Sequence, residues 1–369
     1  HATIRSRVVS DLRFTLGWGS NDLSSVSDGR TIQVLDAFTS GGAQERGRQQ
    51  YRNIGIENDL EFTVRQKHQV TVGVSLDGAH YRGDQYSNAS GTYQFSSLAS
   101  FEAGQPTTFI QRVGDPTYAY SMSHFGWHIQ DDYRVGRKVL LNLGLRHDFQ
   151  THMRDWKNFA PRLGISWSPS SKARTTLRAG MGTFHVPLEA GMYQQLLLVD
   201  GVQQHDLVIS NPGFPDPFSE GQRLAVPPSI IRARPDLVMP FTTRYTVGVD
   251  QPINKLVRFR ATWSRQTGHN LFRSRNANSP IDGVRPNPSI ANITELETTA
   301  RSLNESLQTE LLVNFPPRRL SASLNYVLGR AMNETDWAFS LPPDSFDLSG
   351  EWGPARGDVR HRVNVGLNT

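Results

Sequence analysis

The chain has 369 residues, no cysteine, a formal net charge of +5 and a mean hydropathy of −0.47. The lack of cysteine excludes a disulfide framework, thiolate metal sites and cysteine nucleophiles. The basic residues, all but five of them Arg, form no block along the chain, so the clustered footprint of a nucleic-acid binder is absent.

The longest aliphatic run is Leu196–Val199, far short of the roughly 20 apolar residues of a spanning helix. This leaves open a membrane crossing by strands, which alternate apolar and polar residues and average out to the hydropathy of a soluble protein. Period-two alternation is the dominant signal. In the first segment Val8, Leu12, Phe14, Leu16 and Trp18 face away from Asp11, Arg13, Thr15 and Gly17. Next, Ile54, Ile56, Leu60, Phe62 and Val64 alternate with Gly55, Glu57, Asp59, Glu61 and Thr63. After the polar turn Arg65-Gln66-Lys67-His68, Val70, Val72, Val74 and Leu76 alternate with Thr71, Gly73, Ser75 and Asp77. Phe125, Trp127 and Ile129 then oppose His124, Gly126, His128 and Gln130, and Val139, Leu141, Leu143 and Leu145 oppose Asn142, Gly144 and Arg146. Leu163, Ile165 and Trp167 oppose Arg162, Gly164 and Ser166, and Leu177, Ala179 and Met181 oppose Arg178, Gly180 and Gly182. The pattern continues at 244–250, 257–264, 311–315 and 320–329 and ends with Val363, Val365 and Leu367.

These segments predict about twelve strands of roughly 9 to 15 residues, enough to cross a bilayer at a tilt. Short connections are expected near 65–68, 135–137, 168–173, 251–255 and 315–319. Longer ones are expected at 19–48, 83–117, 151–159, 185–240, 267–302 and 332–358, with a short helix over Leu188–Val199. Short and long connections alternate, as they do where an antiparallel barrel has tight periplasmic turns and long external loops. One strand face is apolar and the other polar and charged, which suits lipid outside and a wide wet lumen inside. Trp18, Phe38, Tyr81, Tyr118, Tyr120, Tyr133, Phe149, Trp156, Phe184, Phe241, Phe272 and Phe315 fall near strand ends and are expected to form interfacial girdles. The fold class is therefore all-β, an antiparallel transmembrane barrel.

Five short motifs occur in order: Gln130-Asp131-Asp132-Tyr133-Arg134-Val135 with Leu140–Arg146, which contains Asn142 and Gly144; Asn158–Pro169, with Pro161, Arg162 and Gly164; Thr176–Phe184, with Arg178, Gly180 and Gly182; Ser323–Tyr326; and Gly357–Arg362, with Asp358, Arg360 and His361. Together they resemble the barrel of TonB-dependent receptors of the Oar-like group, which carry a carboxypeptidase-regulatory-like domain. The resemblance implies a Gram-negative outer-membrane location, contact with outer-membrane lipid, a ligand, and energy delivered by the TonB complex through a plug. The signature residues carry over as structural positions. A barrel of this family has roughly 22 strands. With about twelve strands and no visible signal peptide, plug or TonB box, the expectation is a partial barrel: an open, curved sheet whose first and last segments do not pair.

No other chemistry stands out. His124 and His128 project to the polar face of a strand, and His147 and His152 lack a paired carboxylate at helical spacing, whereas zinc needs three or four convergent ligands. Asp131 and Asp132 point to opposite faces and are expected to bond neighbouring strands. No nucleophile elbow, phosphate loop or zinc helix motif is present. The sequence thus predicts a non-enzymatic receptor and transporter barrel without a cofactor, its ligand an iron chelate, an oligosaccharide or a peptide. A passive porin or adhesin barrel and a soluble propeller or sandwich that binds glycans are the alternatives.

Overall fold

A backbone that alternates faces can hide its apolar residues on one side only if every strand is paired, and the chain solves this with one long antiparallel meander. The computed structural model describes residues 2–5, 8–42, 44–170, 174–224, 227–318 and 320–368. Twelve long strands form the wall: β1 (Val8–Leu23), β2 (Glu45–Val64), β3 (His68–Ser87), β4 (Thr117–Val135), β5 (Val139–Gln150), β6 (Phe159–Trp167), β7 (Thr176–His185), β8 (Phe241–Pro252), β9 (Val257–Asn276), β10 (Ile293–Phe315), β11 (Leu320–Asn333) and β12 (His361–Asn368). Each pairs with its sequence neighbour, antiparallel throughout. A short strand, Ala2–Arg5, lies beside the start of β1, and Ile230–Ala233 runs parallel to the first residues of β10. Among the described residues nothing pairs β1 with β12, so the sheet is open, as expected; Thr369 lies outside the described residues.

Register carries the face assignment from strand to strand. The row Phe14, Ile56, Leu76, Phe125, Phe149 runs along one face and the row Arg13, Glu57, Ser75, Gly126, Asp148 along the other. The apolar face is the exposed one: Leu12, Phe14 and Leu16 are 64%, 58% and 60% exposed, and Val247 and Val365 are 56% and 75% exposed. Such a continuous apolar surface over twelve strands is far larger than a soluble monomer tolerates. From Val8 to Trp18 it spans about 25 Å at the usual rise and tilt, the height of a barrel's lipid band. No helix among the described residues is long and apolar enough to cross a membrane.

Short and long connections alternate as expected. The tight turns take up 65–67, 136–138, 168–175, 253–256 and 316–319, of which residues 171–173 and 319, with the turn predicted near 171, are outside the described residues. The turn at 136–138 places Gly136 at φ 72°, a conformation that favours glycine. By the loop-length rule this end is periplasmic and the other external.

Most of the long loops are shorter than predicted because the strands are longer, while the loop predicted at 332–358 keeps its length at 334–360. β2 begins at Glu45 and β10 at Ile293, and β10 has 23 residues. The predicted loop 267–302 shrinks to 277–292. Above the lipid band both faces meet water, so the alternation fades while the hydrogen-bonded ladder continues.

Placing a charge in the band should block insertion. Leu143→Arg and Val247→Arg, both on the outer face, are each expected to cost about 2–4 kcal/mol and to lower the assembled fraction in outer-membrane preparations. Gln308→Arg, on the inner face of β10, should assemble like wild type; equal assembly of all three would overturn the face assignment.

Candidate functional site

The external end is where chemistry could meet a ligand, and it is built from three kinds of contact. The first is a second sheet formed by three separate loops. Its order is Gln222–Leu224, Gln204–Ser210, Thr108–Gly114, Thr92–Phe95, Thr31–Val34, Phe38–Ser40. Its core is Val34, Tyr93, Phe95, Phe109 and Ile209, packed with edge-on aromatic contacts to Phe101 of helix α1 (Leu98–Glu102) and to Phe214. Ser97 caps α1 in a reciprocal box with Ser100. Gln44 joins two of the loops, donating to Thr31 Oγ1 and the Gly91 carbonyl at 2.5 and 2.8 Å. Burial pushes the Tyr93 phenol above its ordinary pKa.

The second contact fills the mouth of the wall. Helix α2 (Ala190–Leu198), expected over Leu188–Val199, lies against the inner face of β3 and β4. There Tyr81, Tyr118, Tyr120 and Met122 form its seat. Tyr81 stacks on Tyr120 at 5.1 Å, and Tyr120 meets Tyr193 of the helix edge-on at 5.4 Å. The Tyr120 hydroxyl donates to the Ala190 carbonyl at 2.8 Å. Gln194 donates to Gln85 at 2.7 Å and accepts from Gln49 at 3.1 Å, so amides on β2 and β3 hold the helix. The girdle expectation is corrected here: Tyr81, Tyr118, Tyr120, Phe184 and Phe272 face inward. Phe184 lies under the Arg162 guanidinium and Phe272 is in the core around α2. Phe38 belongs to the loop sheet. Trp18, Tyr133 and Phe149 do face outward, in rows with Arg52, His68 and Phe125.

The third contact is ionic. Buried Glu297 accepts from Arg234 at 3.4 Å and forms an ion pair with Arg275 at 3.1 Å, and buried Glu334 accepts from Arg301 at 2.6 Å with Arg273 at 3.7 Å. Asn278, fully buried, donates to the Asn287 and Ile290 carbonyls. Arg234 thus ties the long loop after α2 to the wall, Glu334 ties loop 334–360, and Asn278 closes loop 277–292 on itself. The Arg234 hydrogen bond holds the exposed Asp236 carboxyl below the usual range.

Below the mouth the inner face is charged and paired. Arg13 meets Glu57 at 2.9 Å, and Arg260 bridges Asp250 and Glu310 at 3.3 and 2.9 Å. His124 and His128 lie on this face, beside Asp148 and Asp59 at 3.3 and 3.5 Å. Among the described residues no three His, Asp or Glu side chains converge as a metal would need.

The signature residues do not gather into one site. Gln130, Asp132, Asn142, Gly144, Arg162, Gly164, Arg178, Gly180 and Gly182 lie on the inner face of β4–β7. Asp132 accepts from Gln130 and Asn142 at 3.2 and 2.7 Å, so it bonds its neighbouring strand. A side chain at Gly164 would crowd Asn142, 3.1 Å away. Asp131, Tyr133 and Pro161 face outward, and Asp131 pairs with His68 at 2.8 Å beneath the lipid band. Asp358 accepts from the Ala331 amide at 2.7 Å, Arg360 lies 3.8 Å from Asp358, and the His361 ring is 2.9 Å from the Tyr326 hydroxyl.

The family model of the outer membrane beta barrel domain matches residues 9–155 and 152–369. Among solved structures, the chain is similar to the outer membrane transporter YddB of Escherichia coli, at 15% identity and a TM-score of 0.63 over 90% of this chain and 41% of that one. It is similar to the siderophore receptor PirA of Acinetobacter baumannii, at 14% identity and a TM-score of 0.52 over 88% of this chain and 42% of that one. It is also similar to the RagAB peptide transporter, at 12% identity and a TM-score of 0.52 over 90% and 35%. No curated protein sequence matches the chain. The chain thus spans less than half of these structures, and the shared fold bears out the resemblance to TonB-dependent receptor barrels.

The seat of α2 can be tested directly. Tyr120→Ala removes a buried ring and the bond to Ala190, a local loss of about 3–5 kcal/mol. Limited proteolysis within 186–203 should accelerate, while the heat-dependent gel mobility of the folded barrel stays unchanged. Unaltered cleavage would mean that the helix is held elsewhere.

Proposed function

Because the chain belongs to the outer membrane beta barrel domain family, we propose that it forms wall and external loops of a ligand receptor and transporter driven by TonB. The observation that carries this reading is the occupied mouth. The tyrosine seat holds α2 across the inner face, and a loop sheet with its own core lies at the same end. A passive porin requires an open lumen, whereas here a helix is seated on the inner face at the external end of the wall. The charged inner face, with its Arg–carboxylate and His–carboxylate pairs, then lines the route a ligand takes once the mouth opens. The signature residues serve as structural positions: Asp132 and Asn142 cross-link strands, and Asp358 anchors the approach to β12. The siderophore and peptide proteins with this fold span two ligand chemistries, so the ligand class follows from the loops and not from the wall.

Two measurements test the reading on the full-length protein. In planar bilayers it should show no steady open-channel conductance, and the C-terminal domain of TonB should co-purify with it. Steady ohmic conductance together with failure to capture TonB would establish the passive porin instead. The side of the loops is checked by cysteine labelling, which this chain's lack of native cysteine simplifies. Val202→Cys and Val284→Cys, at exposed loop positions, should react with an impermeant maleimide on intact cells, and Lys255→Cys in a short turn should not; reversed labelling would invert the topology.

A further inference from the structure

Three consecutive cross-strand rows on the outer face of β1–β4 change character at the external rim of the lipid band. The lower row is Leu16, Ile54, Gly78, Ser123. Above it lies Trp18, Arg52, His80, Ser121, and above that Ser20, Gln50, Arg82, Ala119. Beneath all three, the row Phe14, Ile56, Leu76, Phe125 is bulky throughout.

Two cavities follow these rows and share Trp18, Arg52 and His80. The upper, about 390 Å³, is also lined by Ser20, Gln50 and Arg82. The lower, about 660 Å³, is also lined by Leu16, Ile54, Gly78 and Ser123. The lower trough exists because Gly78 and Ser123 are small between Ile54 and the ring of Phe125. A β-carbon at Gly78 would meet only Ser123 Oγ at 3.5 Å and Ile54 Cγ2 at 3.6 Å, which is ordinary contact. The backbone therefore does not demand glycine there, and its effect is to leave the trough open.

The charge over the trough is unbalanced. Among the described residues neither Arg52 nor Arg82 is within ion-pair distance of a carboxylate; Arg82 Nε donates to Gln50 at 2.9 Å. His80 Nδ1 lies 2.9 Å from the Ser121 hydroxyl. Carboxylates appear only one row higher, where Asp22 and Asp84 flank Arg48 and Asp22 binds it at 2.6 Å. The rim over β9–β11 differs, since there Glu305 sits in register between Arg265 and Arg330.

We propose that this groove binds a phosphorylated, acylated lipid of the outer leaflet. Acyl chains lie in the trough beside Leu16 and Ile54, and the phosphate sits at headgroup level between Arg52 and Arg82. A guanidinium matches phosphate geometry with two parallel N–H donors. Trp18, 80% exposed, stands at the boundary where aromatic rings anchor a barrel in the interface. The occupant is a lipid and not a soluble anion, because the basic pair opens onto the apolar band and not onto the lumen.

The test uses full-length protein in detergent and, as probes, bis-phosphorylated lipid A, its dephosphorylated form and inorganic phosphate, read by native mass spectrometry. Wild type should retain the phosphorylated lipid and release it little in millimolar inorganic phosphate. R52A/R82A should weaken that binding by on the order of 100-fold, about tenfold per guanidinium, and leave the dephosphorylated lipid nearly unaffected. Gly78→Leu, or Ser123→Leu should the first variant fail to assemble, should weaken both lipids by filling the trough. Equal retention by R52A/R82A and wild type would overturn the site, and displacement by inorganic phosphate would make it a soluble-anion site.

Discussion

Everything in this molecule depends on one constraint: a backbone in hydrocarbon must pair every N–H and C=O with another part of the chain. Each group left unpaired there costs several kcal/mol, more than any single side chain can return. The twelve-strand ladder follows from that cost. Once the ladder is fixed, side chains can only alternate, and the two solvents sort them. Leu12, Phe14 and Leu16 stand exposed on one side, where a soluble sheet would have buried them, while Arg13 and Glu57 pair on the other. The wall is stabilised by its hydrogen bonds and by lipid, and among the described residues the apolar core clusters lie at the external end and not behind the charged rows.

That constraint also decides what was legible in the sequence. Inside the lipid band the contrast between faces is total, so the strands, their order and their faces could be read from residues such as Val70, Val72 and Val74. Above the band the contrast is gone. The stretch Glu45 to Arg52 carries Arg46, Arg48, Gln49 and Gln50 on both faces, and its first half reads as loop, yet it is paired residue by residue with His80–Ser87 and, from Gly47 on, with β1. The lumen-facing tyrosines were within reach. Counting by two from His124 puts Met122, Tyr120 and Tyr118 on the polar face, and counting by two from Asp77 does the same for Tyr81. Proximity to a strand end was a weaker guide than phase.

The loop sheet was not legible, for a different reason. Its strands have three to seven residues, too few for a period to emerge. Its pairings join distant segments, Gln33 with Gln94 and Val208 with Ile110. One of them is parallel, which no hairpin signal announces. It obeys the ordinary rule for proteins in water, apolar residues inside, with Tyr93, Phe95 and Phe109 at its centre. One chain therefore holds two opposite solutions to the burial of apolar surface, and the boundary between them is the rim of the lipid band.

The external elements also differ in how they are held. Two external segments are tied to the wall by buried carboxylates: Arg234, in the long loop after α2, to Glu297 of β10, and Glu334, at the start of loop 334–360, to Arg301 of β10. Removing one partner of such a pair leaves a buried charge, at a cost of about 3–5 kcal/mol, so these segments are fixed to the wall. Helix α2 is held by neutral groups: the amides of Gln49, Gln85 and Gln194, a tyrosine hydroxyl on a carbonyl, and ring contacts. Neutral hydrogen bonds contribute only about 1 kcal/mol each, and water replaces them well when they open. Lifting α2 would bare Tyr81, Tyr118 and Tyr120 but strand no charge. Helix α2 is thus displaced at less cost per contact than the segments held at Glu297 and Glu334.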